Sequence, residues 1–141
     1  MKPYWMGLDI GGTKCAVLLA RVDAGIHLVD KIRFLTRTER CFEATYEQLL
    51  REMEAILRRN DLDFSQFEAI GVSCGGPLDS RKGIVLCPPN LPGWVNIPLC
   101  DMLRERFGVP VCLQNDANAC ALVNKVYASE YVPLKSNTGM K

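Results

Sequence analysis

Apolar positions in the first part of the chain fall into short runs separated by turn residues. Tyr4 to Ile10, Cys15 to Val22 and Ile26 to Phe34 are rich in apolar and branched side chains, and the breaks between them carry Gly11-Gly12-Thr13-Lys14 and Asp23-Ala24-Gly25. Runs of that length between glycine turns predict three successive strands in an antiparallel meander. The period then changes. Phe42, Tyr46, Leu49, Leu50, Met53, Ile56 and Leu57 recur at helical intervals and predict an amphipathic helix with one core-facing stripe. Thr36-Arg37-Thr38-Glu39 has capping-box spacing ahead of it, Arg58 and Arg59 complement the macrodipole near its end, and Asn60-Asp61 closes it.

Phe67 to Cys74 is a short apolar run that ends in Gly75-Gly76-Pro77, the pattern of a buried strand delivering a loop. Gly83 to Leu86 is a further extended piece, and Cys87 to Trp94 is a loop stiffened by three prolines with Trp94 as its packing anchor. Pro98 and Asp101 open a second helix with apolar Leu99, Met102, Leu103 and Phe107, and Gly108 and Pro110 end it. Val109 to Gln114 is the next buried strand; it stops at Asn115-Asp116, and Ala117 to Ala128 predicts an Ala-rich helix. Strand, helix, strand, helix at this spacing implies parallel strands joined by crossovers. Ser129 to Lys141 has no clear period and is expected to be an irregular tail.

Composition narrows the class. The 141 residues suit one domain, and 48% hydrophobic with 23% charged residues is the balance of a globular protein. No apolar run approaches the roughly 20 residues of a membrane-spanning helix. Met1 to Trp5 lead into the first strand with no signal-like stretch, so a cytoplasmic address is expected. The seven cysteines include no C-x-x-C pair and lie mostly in apolar runs, so they read as small core hydrophobes, with neither zinc nor a disulfide framework expected. A net charge of +1 with interspersed signs argues against a nucleic-acid surface. His27, the single histidine, reads as a structural or surface residue.

Chemistry concentrates at Gly7 to Lys14, an apolar run that reaches Asp9 and breaks on two glycines, a hydroxyl and an amine. A Walker A loop places Lys and then Ser/Thr after its last glycine and opens a helix, whereas here Thr13 precedes Lys14 and a strand follows. Two readings stay open on these residues: a hairpin whose turn amides cradle an anion, or an ordinary Gly-Gly hairpin. Asp116 likewise reads as a helix N-cap or as a carboxylate held at a strand end for chemistry.

The order of elements, with an Asp-containing glycine turn between the first two strands, resembles the N-terminal lobe of the ribonuclease H-like ATPase fold found in actin, hexokinases and many sugar kinases. D-I-G-G-T-K at Asp9 to Lys14, G-V-S-C-G-G-P-L-D at Gly71 to Asp79, G-I-V-L at Gly83 to Leu86, P-N-L-P-G-W at Pro89 to Trp94 and N-D-A-N-A at Asn115 to Ala119 are similar to motifs of the ROK family, whose name stands for repressor, open reading frame and kinase. The resemblance covers about residues 4 to 128. It implies an α/β lobe over residues 1–128, with a mixed five-stranded sheet flanked by helices, and an irregular tail at 129–141. It further implies an ATP-dependent kinase of a hexose or N-acetylhexosamine.

In that resemblance Asp116 is the catalytic base and also contacts sugar, while Asn115, Asn90 and Gly76 hold sugar. Gly11, Gly12, Thr13 and Lys14 face the terminal phosphates, and Asp9 places Mg²⁺ through water, with no direct protein ligand to the metal. Positioning and charge neutralisation are the main catalytic terms in such phosphoryl transfer. No stretch up to Lys141 matches the family's second lobe, so an incomplete cleft, little activity of these residues alone and an open face for self-association are expected. The second reading is a sugar-responsive ROK transcriptional regulator, for which no winged helix-turn-helix is found ahead of Tyr4, and the third is a non-catalytic sugar-binding or interaction module.

Overall fold

The computed structural model describes residues 2–115. Strands β1 (Tyr4–Ile10), β2 (Lys14–Val22) and β3 (Ile26–Leu35) form the meander, followed by helix α1 (Phe42–Arg59) and strand β4 (Phe67–Cys74). A two-stranded ribbon, β5 (Leu78–Asp79) with β6 (Ile84–Val85), precedes helix α2 (Leu99–Phe107) and strand β7 (Val111–Asn115). The main sheet has the order β3-β2-β1-β4-β7, antiparallel through the meander and parallel across β1, β4 and β7. The expected mixed five-stranded α/β sheet is therefore present.

Alternation along the strands explains which face carries the helices. Met6, Leu8 and Ile10 of β1, Cys15, Val17 and Leu19 of β2, and Ile70, Val72 and Cys74 of β4 share one face and one core with Leu49, Met53 and Ile56 of α1 and Leu99 and Leu103 of α2. Each of these large side chains contributes about 1.5–3 kcal/mol on burial. The residues between them on β1 and β4, including Trp5, Gly7, Asp9, Ala69, Gly71 and Ser73, belong to the opposite face, where Trp5, Ala20 and Ala69 form a small second cluster.

Register at the carboxyl ends of the parallel strands positions the site. Ile10 pairs with Cys74, and Cys74 with Asn115, so the Gly11 turn and the Gly75 loop leave the sheet side by side, next to the end of β7. Open α/β sheets bind ligands at this edge.

Several local expectations need correction. Thr36 does not cap α1. The chain is still extended through Leu35, and the N-cap is Cys41, which makes no side-chain capping bond. Glu39 pairs instead with Arg37 at 3.2 Å. A true capping box occurs where none was expected, at Asp63 to Gln66 around a 3-10 turn, Phe64–Gln66. Arg59 does more than face the end of α1, since it reaches Asp30 on β3 through two hydrogen bonds of 2.7 Å. Among the described cysteines, Cys15, Cys74 and Cys100 are buried as expected, but Cys41, Cys87 and Cys112 are exposed because they lie before a helix, in a loop and on a face away from the helices. Trp94 packs in the core edge-on to Phe42, 4.8 Å between ring centres, as an anchor should. The helix expected at Ala117 to Ala128, Cys120 and the tail from Ser129 lie outside the described residues.

A candidate phosphate and sugar site

The glycine turn is held from behind. Gly11 donates its amide to the Lys14 carbonyl at 3.1 Å, closing the turn. Thr36, at the end of β3, donates its amide to the Thr13 carbonyl at 2.9 Å and its hydroxyl to the Gly11 carbonyl at 2.7 Å. Because that hydroxyl proton is committed, the Cys15 thiol, 3.3 Å away, is the donor to Thr36 Oγ1. Burial holds the Cys15 thiol above its ordinary pKa despite this hydrogen bond, so it stays a protonated donor. The carbonyls of Gly11, Thr13 and Lys14 are thereby occupied, while the amides of Gly12 and Thr13 have no acceptor among the described residues. A turn with occupied carbonyls and free amides is suited to an anion.

Asn90 joins this turn to the loop after β4. A Cβ on Gly12 would lie 2.7 Å from the Asn90 carbonyl oxygen and 2.9 Å from Asn90 Cβ, and one on Gly75 would lie 3.8 Å from Asn90 Oδ1. Asn90 can hold that place because its neighbours are fixed: Leu91 and Trp94 are buried, and successive turns bond Leu91 to Pro88 and Trp94 to Leu91 at 3.0 and 3.1 Å. Gly76 follows Gly75 in the same loop. The backbone of Asn115 ends β7 beside Cys74. Asp116 lies outside the described residues.

One row of the sheet aligns four polar side chains across its strands. Arg33, Ala16, Asp9, Ser73 and Gln114 are register partners on β3, β2, β1, β4 and β7 in turn. Asp9 and Lys14 also border a shallow depression with Ala16, Lys31 and Arg33. Ser73 is 1% exposed and its hydroxyl has no hydrogen-bond partner among the described residues. That orphaned hydroxyl in the same row as Asp9 fits a hydrated Mg²⁺, whose water shell needs acceptors and donors around a single carboxylate. Among the described residues, no group of three or more His, Cys, Asp or Glu is placed to hold a metal ion. Sequence alone assigns neither Thr36 nor Ser73 to the site, since only the fold brings them to it.

A sheet of this order, two helices on one face and a glycine turn beside two loops at the parallel-strand ends define a lobe of the ribonuclease H-like fold. The chain belongs to the ROK family, whose model matches residues 5–132. A glucokinase of Thermotoga maritima is 34% identical over 124 residues, which are 88% of this chain and 37% of that protein. The solved ROK family glucokinase of Streptomyces griseus in complex with glucose and AMPPNP superposes with a TM-score of 0.66 at 28% identity, covering 84% of this chain and 35% of that one. A xylose repressor of Caldicellulosiruptor bescii is 41% identical over 56 residues, 40% of this chain and 14% of that protein. The chain thus spans little more than a third of the length of these two kinases. Among the described residues, no helix is long and apolar enough to cross a membrane.

Proposed function

We propose that this lobe serves an ATP-dependent kinase that transfers a phosphoryl group to a hydroxyl of a hexose or N-acetylhexosamine in the cytoplasm. The observation that carries the reading is the contact of Asn90 with Gly12, which sets a sugar-loop candidate directly against the phosphate turn. Donor and acceptor must meet within about 3–3.5 Å for transfer, and a site built from touching loops is suited to that. In this reading the amides of Gly12 and Thr13, with Lys14, hold the terminal phosphates. Asp9 and the Ser73 hydroxyl orient the water shell of Mg²⁺, which when bound neutralises phosphate charge. Asn90, Asn115 and the backbone at Gly76 hold sugar hydroxyls, and Asp116 accepts the proton of the attacking one. The similar glucokinase seen with glucose and AMPPNP, an ATP analogue, supports the same pair of ligands.

The test is titration of the purified chain with glucose, N-acetylglucosamine and N-acetylmannosamine, followed by amide chemical shifts, alongside coupled ADP release. Perturbation at residues 75–76, 90 and 115, lost in Asp116→Asn and Asn90→Ala, is expected. Turnover by the 141 residues alone is expected to be slight, because they span little more than a third of the kinases' length. Saturation with every sugar and no shift at these positions would remove the reading. The match to a xylose repressor supports a second one, a sugar-sensing lobe of a regulator. It predicts the same sugar shifts but none at residues 9–16 when ATP is added.

A further inference from the structure

The ladder between β2 and β3 stops half-way through its last pair. Lys14 stands opposite Leu35 and Cys15 opposite Phe34, so the same register brings Thr13 opposite Thr36. In an antiparallel ladder the two residues of a hydrogen-bonded pair exchange two bonds, each amide donating to the other's carbonyl. One of the two is made here: the Thr36 amide donates to the Thr13 carbonyl at 2.9 Å. The return bond, from the Thr13 amide to the Thr36 carbonyl, is not formed. That unmade bond is what leaves the Thr13 amide free in the turn.

The Thr36 carbonyl is taken from another side. Arg40 Nη2 donates to it at 2.9 Å and reaches the Leu35 carbonyl at 3.3 Å, so one guanidinium nitrogen grips two successive carbonyls where β3 ends. The backbone brings Arg40 to that place. Arg37 has a φ of 56°, in the left-handed region that a residue with a side chain adopts at a cost, and the Arg40 amide closes a turn on the Arg37 carbonyl at 2.9 Å. Residues 37–40 thereby fold back onto the end of β3 instead of extending it. No carboxylate pairs with Arg40 among the described residues, and its Nε is buried with no acceptor there. Glu39, its neighbour in sequence, is held by Arg37 at 3.2 Å. The Thr36 carbonyl therefore faces two donors, the Thr13 amide and a guanidinium, and an ionised donor makes the stronger bond.

We propose that Arg40 is a positioning residue for the glycine turn: by holding the Thr36 carbonyl it keeps the last bond of the ladder unmade and the Thr13 amide open to a phosphate oxygen. This role rests on the turn being a phosphate grip, and it adds the residue that keeps the grip from closing on itself. Arg40 touches no ligand; it acts through Thr36. Without it the Thr36 carbonyl turns to Thr13, the ladder completes its last pair, and the turn offers an anion one amide fewer.

The test follows the Thr13 amide in the full chain, by its exchange with solvent and by its shift on titration with ATP and with orthophosphate. In Arg40→Met and Arg40→Ala this amide gains an acceptor, so its exchange is expected to slow by about fivefold. ATP affinity should fall about tenfold in both, the effect of losing one hydrogen bond to a charged group. Reading two variants lets either folded one decide. Arg40→Lys keeps a cationic donor on a long stem and should recover most of both effects. Arg37→Asn removes a neighbouring cation, tolerates the left-handed backbone and should behave like the parent. A side chain that only braced the turn would, on removal, let Thr13 exchange faster or at the parental rate, and either result overturns the role of Arg40. An equal loss of ATP affinity in Arg37→Asn overturns it too. If ATP shifts residues 9–16 in the parent and binds Arg40→Met and Arg40→Ala as tightly, the role of Arg40 falls and the grip stands. If neither ATP nor orthophosphate shifts residues 9–16 in the parent, both fall.

Discussion

Gly12 and Asn90 occupy adjoining space so closely that a single methyl at Gly12 would come within 2.7 Å of the Asn90 carbonyl oxygen. The obstacle is backbone, which cannot swing aside as a side-chain tip could. Gly12→Ala is expected to destabilise the fold by about 1–3 kcal/mol or to push the Asn90 loop outward. Urea denaturation would measure the first outcome, and loss of sugar-dependent shifts at Asn90 the second. A variant with parental stability and parental ligand shifts would contradict the contact.

Thr36 offers a sharper test because its substitution changes little volume. Thr36→Val removes the hydroxyl that bonds the Gly11 carbonyl while keeping the β-branched shape. Leaving a partly buried carbonyl and the Cys15 thiol without their partner should cost about 1–3 kcal/mol. Thr36→Ser, which retains the hydroxyl, should recover most of it. Phosphate-dependent shifts at Gly12 and Thr13 should weaken in the valine variant and return in the serine one.

The tie between β3 and α1 should make stability depend on acid. Hydrogen bonds from Arg59, and then from Asn60, hold the Asp30 carboxyl well below the usual carboxylate range. The unfolded chain therefore binds a proton that the folded one refuses, and stability rises with pH through that window. The contribution is complete above the ordinary Asp value of about 3.9 and is lost as pH falls below it. Denaturant midpoints recorded from pH 6 to pH 2 should show a shallower acid-side decline in Asp30→Asn than in the parent.

Thiol chemistry should divide the cysteines by environment. Burial pushes the Cys100 thiol up to about 11 and also raises that of Cys15, so neither is a reactive thiolate near neutrality. Exposed Cys41, Cys87 and Cys112 should alkylate first at pH 8, with Cys15, Cys74 and Cys100 reacting only after unfolding, as read by peptide mass spectrometry. Rapid labelling of Cys15 in the folded protein would show that the turn opens readily.

The elements legible in sequence are those written in a local period: the meander, the stripe of α1, and β4 and β7 as buried runs. Thr36 shows the limit. Its spacing to Glu39 satisfies a capping rule, but a tertiary partner at Gly11, far away in sequence, takes its hydroxyl. Asp63 to Gln66 carries a working capping box that no apolar helical run advertises. The ribbon of β5 and β6 is too short to have a period. Within the site, Asp9 to Lys14 and Asn90 stand out as motifs, whereas Ser73, Lys31 and Arg33 gain meaning only when register aligns them with Asp9 and Ala16.

The bonds from Thr36 to the carbonyls of Gly11 and Thr13 have a consequence for motion. Thr36 follows directly on β3, an edge strand paired only with β2. Edge strands open more readily than central ones, and each opening would release both carbonyls. Fraying of β3 and disarming of the turn thus become one equilibrium, felt at a distance from any ligand atom. Slowed hydrogen exchange along β3 would then report that the turn is occupied.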